Sequence, residues 1–223
     1  MSVSDKVAGI LLAAGASTRM GTDKLWAQLG GKPLISWPLQ TLAASDAIDE
    51  LVLVVSANSR EPMVRLLQEL NIVGKIVLGG ARRQDSVRAA LDAAKDADWV
   101  VVHDGARPLL TEKLIVDGLR AAREPGAAIA AVPVVDTIKR AKEGTVLQTL
   151  DRDGLWAVQT PQVFRRALLA EAHAASSLDV TDDAALVEGL GATVRIYMGA
   201  PENIKVTTPF DLVVAGALLG GRA

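Results

Sequence analysis

Val7-Ala8-Gly9-Ile10-Leu11-Leu12-Ala13-Ala14-Gly15-Ala16-Ser17-Thr18-Arg19-Met20-Gly21-Thr22-Asp23-Lys24 decides the fold. An apolar, strand-like run over residues 7–12 feeds straight into a loop of small residues that carries two cations, Arg19 and Lys24. Small side chains let backbone N–H groups come close to a phosphate, and the cations neutralise it. The stretch reads as a nucleotide-binding loop at the amino end of an α/β domain. The plainer alternative is an ordinary strand-to-helix turn with two surface cations. Neither familiar phosphate loop is present: no G-x-x-x-x-G-K-[ST] follows the strand, and Ser17 stands where a dinucleotide fingerprint has its second glycine.

Outward from that stretch, runs rich in Val and Ile alternate with amphipathic segments. The pattern predicts strands over residues 7–12, 51–55, 75–78, 99–103, 127–133 and 193–198. It predicts helices over 33–44, 60–70, 84–94, 112–123, 165–175 and 182–189, and a last one opened by Thr208-Pro209. Thr111 and Thr181 are further start signals. Continuously apolar strands imply burial on both faces, hence a mostly parallel twisted sheet flanked by helices. With 223 residues and no linker or repeat, residues 1–223 are expected to form one domain. Residues 137–150 break the rhythm. They read as a polar hairpin around Glu143-Gly144, either an arm projecting toward another subunit or a solvated surface hairpin.

Composition excludes several functions. There is no cysteine, so disulfides, thiolate catalysis and cysteine zinc sites are ruled out. Two histidines cannot make a histidine-rich metal site. Lys and Arg number 24 against 26 Asp and Glu, a balance that gives no support to nucleic acid or an anionic membrane as partner. No apolar run approaches the roughly 20 residues that span a bilayer, and Met1 to Lys6 lack signal-peptide character. A cytoplasmic location is the expectation.

Ligands of open α/β sheets sit beyond the carboxyl ends of the strands. The strand over 99–103 runs into His103-Asp104-Gly105-Ala106-Arg107-Pro108. A carboxylate there suits Mg²⁺ shared with substrate phosphates, or caps a turn. Gly79-Gly80-Ala81-Arg82-Arg83-Gln84-Asp85-Ser86 permits a tight path in which Ser86 reads a base edge, or is a glycine turn before a helix. Asp136-Thr137, Asp151-Arg152, Thr160-Pro161-Gln162 and Thr181-Asp182-Asp183 offer hydroxyls and an arginine to a second, phosphorylated substrate. Lys205, expected in a short apolar strand within Asn203-Ile204-Lys205-Val206-Thr207, is an edge charge or a phosphate ligand.

The succession L-A-A-G-x-x-x-R-M-G…K, G-G-x-x-R-x-D-S-V, H-D-x-A-R-P, D-T-I-K, Q-T-P-Q, T-D-D-A and N-I-K-V-T closely resembles the 2-C-methyl-D-erythritol 4-phosphate cytidylyltransferases over residues 7–215. The resemblance implies a Rossmann-like nucleotidylyltransferase fold, a homodimer joined by the 137–150 arm, and Mg²⁺ as cofactor. The implied reaction joins CTP to methylerythritol phosphate with loss of pyrophosphate. It also implies that Ala13, Ala14, Gly15, Gly80 and Ser86 hold the nucleotide and that Arg19 and Lys24 grip the triphosphate. Asp104 would hold the metal, while Arg107, Thr137, Arg152, Thr160, Thr181 and Lys205 would bind the polyol phosphate. Attack by a phosphate oxygen on the α-phosphorus needs cations and alignment more than a base, so Arg19, Lys24 and Lys205 carry the catalytic assignment and His103 is expected only to pack. Ser17, Ala81 and Gly105 depart from the family pattern on the nucleotide side. The alternatives are a ribitol-5-phosphate cytidylyltransferase, a molybdopterin cytidylyltransferase-like enzyme and a non-catalytic nucleotide-binding module.

Overall fold

The computed structural model describes residues 5–15, 24–176, 180 and 182–221. Its strands are β1 (Val7–Ala13), β2 (Gln28–Leu29), β3 (Lys32–Pro33), β4 (Glu50–Val55), β5 (Lys75–Leu78), β6 (Trp99–Asp104), β7 (Ala127–Pro133), β8 (Lys139–Lys142), β9 (Thr145–Thr149), β10 (Trp156–Arg165) and β11 (Arg195–Met198). Its helices are α1 (Ser36–Ala43), α2 (Arg60–Glu69), α3 (Arg83–Ala93), α4 (Glu112–Ala122), α5 (Arg166–Ala175), α6 (Ala184–Gly189) and α7 (Pro209–Gly220). Seven strands form one sheet in the order β11-β7-β10-β6-β1-β4-β5, and the short pairs β2-β3 and β8-β9 stand apart from it.

β1 is flanked by parallel β4 and β6, so the chain winds away from it in both directions. That reversal is the topological switch point at which doubly wound sheets bind ligands. Successive β1 side chains enter opposite cores. Val7, Leu11 and Ala13 pack toward α1, α2, α4 and α7 with Leu53, Val101 and Ile115. Ala8 and Ile10 pack toward α3, α5 and α6 with Val54, Val102 and Leu169. Both faces are covered, as the unbroken apolar runs required.

The sheet departs from expectation at β10, a ten-residue strand antiparallel to β6 and β7 that periodicity does not reveal. Gln159-Thr160-Pro161-Gln162 is polar and holds a proline, which a central strand seldom accommodates. Here the β10 ladder on β7 shifts register between Val158 and Gln162, and Thr160-Pro161 is cis. A second correction concerns Lys205: residues 203–207 are irregular rather than a strand. Thr111 and Thr208 cap α4 and α7 through Leu114 and Asp211 N–H groups, whereas Thr181 lies outside the described residues.

Candidate active site

β1 ends at Ala13 and pairs in register with β6, Leu12 opposite Asp104, which brings the following Ala14 and Gly15 near the strand-end carboxylate. Gly105 N–H donates to Leu12 carbonyl at 2.9 Å. A Cβ at Gly105 would stand 2.5 Å from Ile35 Cδ1 and 3.0 Å from that carbonyl oxygen, so a larger residue fits only if Ile35 shifts. Gly79 and Gly80 are confined likewise, the first by Ala14 and Ser86, the second by Asp85. The Asp85 carboxylate accepts from Arg82 N–H at 3.2 Å and from the Arg82 guanidinium at 2.9 Å, which starts α3 and fixes this turn.

Two clefts open here. The first, about 430 Å³, is bounded by Ala14, Gly15, Lys24, Gly80 and Ser86 and reaches Asp104 and Lys205. The second, about 270 Å³, lies between Arg107, Thr160, Gln162 and Asp182 and reaches the same two residues. The sequence-derived nucleotide residues therefore line one cleft, and part of the acceptor set lines the other. Ala13 is buried at the end of β1, just behind the first cleft. Thr137 and Arg152 do not join them: both are exposed at the base of the arm, where Arg152 donates to Val135 carbonyl. Arg19 and Thr181 lie outside the described residues.

Asp104 is the electrostatic centre. Lys205 Nζ donates to its Oδ2 at 2.7 Å, while Arg83 Nε stands 3.9 Å from Oδ1 and Arg107 Nε 4.0 Å from Oδ2. Burial opposes ionisation of Asp104, but Lys205 and then Arg83 outweigh it and hold the pKa down at about 2. The side chain keeps 13% exposure, facing the clefts.

Behind it, hydrogen bonds run in one direction. Arg107 carbonyl can only accept, so His103 Nε2–H donates to it at 3.0 Å and Nδ1 is the acceptor. Thr160 Oγ–H donates to Nδ1 at 3.1 Å, and Thr160 Oγ accepts Asp104 N–H at 3.0 Å. Burial drives the His103 pKa down to about 4, so the ring is neutral and consistent with packing. The single hydroxyl hydrogen of Thr160 is thus spent on holding β6 against β10.

The loop bearing Lys205 is pinned by Asn203, which is fully buried and donates to Thr160 carbonyl at 2.8 Å and Gln159 Oε1 at 3.3 Å. Arg107 NH1 donates to Asn203 carbonyl at 2.7 Å, and Val206 N–H to Ala106 carbonyl at 2.8 Å. Asn203 in N-I-K-V-T is therefore the anchor that aims Lys205, a role its sequence neighbours do not signal. Asp182 and Asp183, read as company for a phosphate-binding threonine, are braces: Asp182 accepts from Gln162, and Asp183 from Arg83.

A doubly wound sheet with a small-residue loop at its switch point, and cations gathered around an ionised strand-end carboxylate, defines a nucleotidyltransferase-type α/β enzyme. More particularly, the chain belongs to the 2-C-methyl-D-erythritol 4-phosphate cytidylyltransferase (IspD) family, whose model matches residues 7–221. It is 46% identical to a protein of that name from Dehalococcoides mccartyi, over 98% of each chain. It is 48% identical to one from Pelotomaculum thermopropionicum, over 98% of this chain and 96% of that one. Among solved structures it is similar to the Thermus thermophilus 2-C-methyl-D-erythritol 4-phosphate cytidylyltransferase, with TM-score 0.81, 35% identity and coverage of 99% and 100%. The Anaerococcus prevotii 4-diphosphocytidyl-2C-methyl-D-erythritol synthase is another, with TM-score 0.85, 31% identity and coverage of 97% and 96%. No helix among the described residues is long and apolar enough to cross a membrane.

Proposed function

We propose that this chain transfers the cytidylyl group of CTP to 2-C-methyl-D-erythritol 4-phosphate, releasing pyrophosphate. The observation that carries this reading, beside family membership, is the meeting of the two clefts on Asp104 and Lys205. CTP occupies the first cleft, with Ala13, Ala14, Gly15, Gly80 and Ser86 around the nucleoside and Arg19 and Lys24 on the triphosphate. The acceptor phosphate enters the second, met by Arg107 and Lys205, with Thr160 holding the cleft wall; Thr181 is assigned to it by the family resemblance alone. Its oxygen attacks the α-phosphorus in line, the P–O bond to pyrophosphate breaks, and no proton need be removed from an already anionic nucleophile.

Mg²⁺ fits Asp104. The carboxylate is ionised and faces both clefts. One carboxylate with phosphate oxygens and waters is the habit of Mg²⁺. When bound, it neutralises charge on the reacting phosphates. Lys205 leaves Asp104 for phosphate, while Arg107, held by Asn203, keeps its place.

The proposal includes a homodimer in the cytoplasm. Both strands of the arm are exposed along their whole length, and Val135, Val146 and Leu147 present apolar surface there. Thr137 and Arg152 lie on that arm, outside the clefts, which supports their reaching the acceptor site of a second copy. Pyrophosphate release with CTP, comparing methylerythritol 4-phosphate with ribitol 5-phosphate, tests the reading; turnover with ribitol phosphate alone would replace it.

A further inference from the structure

Among the described residues bounding the two clefts, only Arg83, Asp104 and Lys205 border both. Arg83 is the one whose task the reaction does not explain. It is the first residue of α3, and its guanidinium joins two carboxylates from separate elements. NH1 donates to Asp183 Oδ2 at 2.6 Å, and Nε faces Asp104 Oδ1 at 3.9 Å. Asp183, just before α6, has no exposed surface, and its other oxygen accepts from His173 Nε2 at 3.1 Å. The result is a line from the cleft junction into the core: Asp104, Arg83, Asp183, His173.

Lys205 is built differently. Its side chain is 43% exposed and has a single carboxylate partner, so it is free to turn toward an arriving phosphate. Arg83 is 26% exposed, and leaving Asp183 would strand a buried negative charge. A guanidinium offers separate donors in a fixed plane, so one edge can stay on Asp183 while the other faces Asp104. We infer that Arg83 is a positioning residue, clamped by the buried Asp183–His173 pair, which keeps the Asp104 carboxylate in place after Lys205 has moved to the substrate. Asp183, fully buried and bordering neither cleft, acts on the reaction only through Arg83.

The inference rests on the proposed cytidylyl transfer, and the test separates the two. Wild type, Arg83→Gln, Arg83→Lys, Asp183→Asn and the Arg83→Gln/Asp183→Asn double variant are compared in steady-state kinetics with CTP and methylerythritol 4-phosphate. Mn²⁺ affinity is measured in parallel by electron paramagnetic resonance with methylerythritol 4-phosphate and an α,β-methylene CTP analogue, so that Lys205 is drawn to the acceptor without turnover. Arg83→Gln should lower kcat by about 10–100-fold and weaken Mn²⁺ binding about tenfold, with both KM values within about twofold. Arg83→Lys should recover part of the loss, and the double variant should be no slower than Arg83→Gln alone. A raised KM at unchanged kcat would make Arg83 a substrate ligand and overturn the inference, as would unchanged Mn²⁺ affinity or additive losses. If Asp183→Asn does not fold, the kcat–KM split and the lysine rescue decide alone. Silence of wild type defeats the cytidylyl-transfer reading instead.

Discussion

Lys205 Nζ sits 2.7 Å from Asp104 Oδ2, an ion pair closed across 101 positions of chain. It joins the end of β6 to an irregular loop aimed by Asn203, and it lies where the two clefts meet. A cation and an anion neutralise each other until a phosphate arrives, so the resting site avoids naked charge and opens only to a polyanion.

Breaking the pair from either side should therefore affect turnover far more than folding. Asp104→Asn is expected to lower kcat by about 100-fold or more with the circular dichroism spectrum intact. Lys205→Ala should reduce kcat/KM for the acceptor phosphate by a similar factor. Arg83 and Arg107 stay beside the largely buried Asp104 when Lys205 is removed, so the melting temperature of Lys205→Ala should fall by only a few degrees. Near-normal turnover of Asp104→Asn with Mg²⁺ would remove it from the metal site.

Asn203→Ala tests the anchoring of the loop. It leaves Thr160 carbonyl and Gln159 Oε1 each short of a buried donor. The expected loss is about 1–3 kcal/mol in denaturant unfolding, with a raised KM for the acceptor and little change in that for CTP. An equal rise in both would mean that Asn203 supports the fold generally rather than aiming Lys205.

Gly105→Ala places a methyl against Ile35 Cδ1 and Leu12 carbonyl oxygen. Overpacking of this kind costs about 1–3 kcal/mol. Trimming the neighbour in an Ile35→Val/Gly105→Ala double variant should recover part of it, because the carbonyl contact remains. Equal stability of the two Gly105→Ala proteins would show that Ile35 is not the obstacle.

His103 makes stability depend on pH. Burial lowers its pKa from 6.5 to about 4 in the folded chain, so the unfolded chain takes up the proton first as pH falls. This contribution is complete above pH 6.5 and is lost as pH drops to about 4. The loss amounts to about 3 kcal/mol. Unfolding free energies across that window should fall in the native sequence and fall less in His103→Gln. Parallel curves would contradict a neutral, buried ring.

Much of this was legible in the residues. Five predicted strands and every predicted helix recur within a few residues of their expected ends, because apolar runs between caps leave little freedom. The strand expected over residues 193–198 is also present, though it begins only at Arg195. β10 was hidden because its centre is polar and contains Pro161, features that periodicity assigns to loops. Asp104 and Gly80 stand out in the sequence as polar or flexible residues at strand ends, and Lys205 as a lone cation in an apolar run. Arg83 did not, since Arg82-Arg83 looks like surface charge until Asp183, 100 positions later, folds against it. Asp182 and Asp183 stand beside Thr181 in the sequence without a sign of their bracing role, which only their partners Gln162 and Arg83 reveal.

The most direct test of the central claim is pyrophosphate release by the wild-type protein with Mg²⁺, offering CTP with methylerythritol 4-phosphate or ribitol 5-phosphate, then ATP, GTP and UTP in place of CTP. The account predicts release with CTP and methylerythritol 4-phosphate only. Release with ribitol phosphate in preference would reassign the second cleft, and no release from folded protein with any pair would contradict cytidylyl transfer altogether.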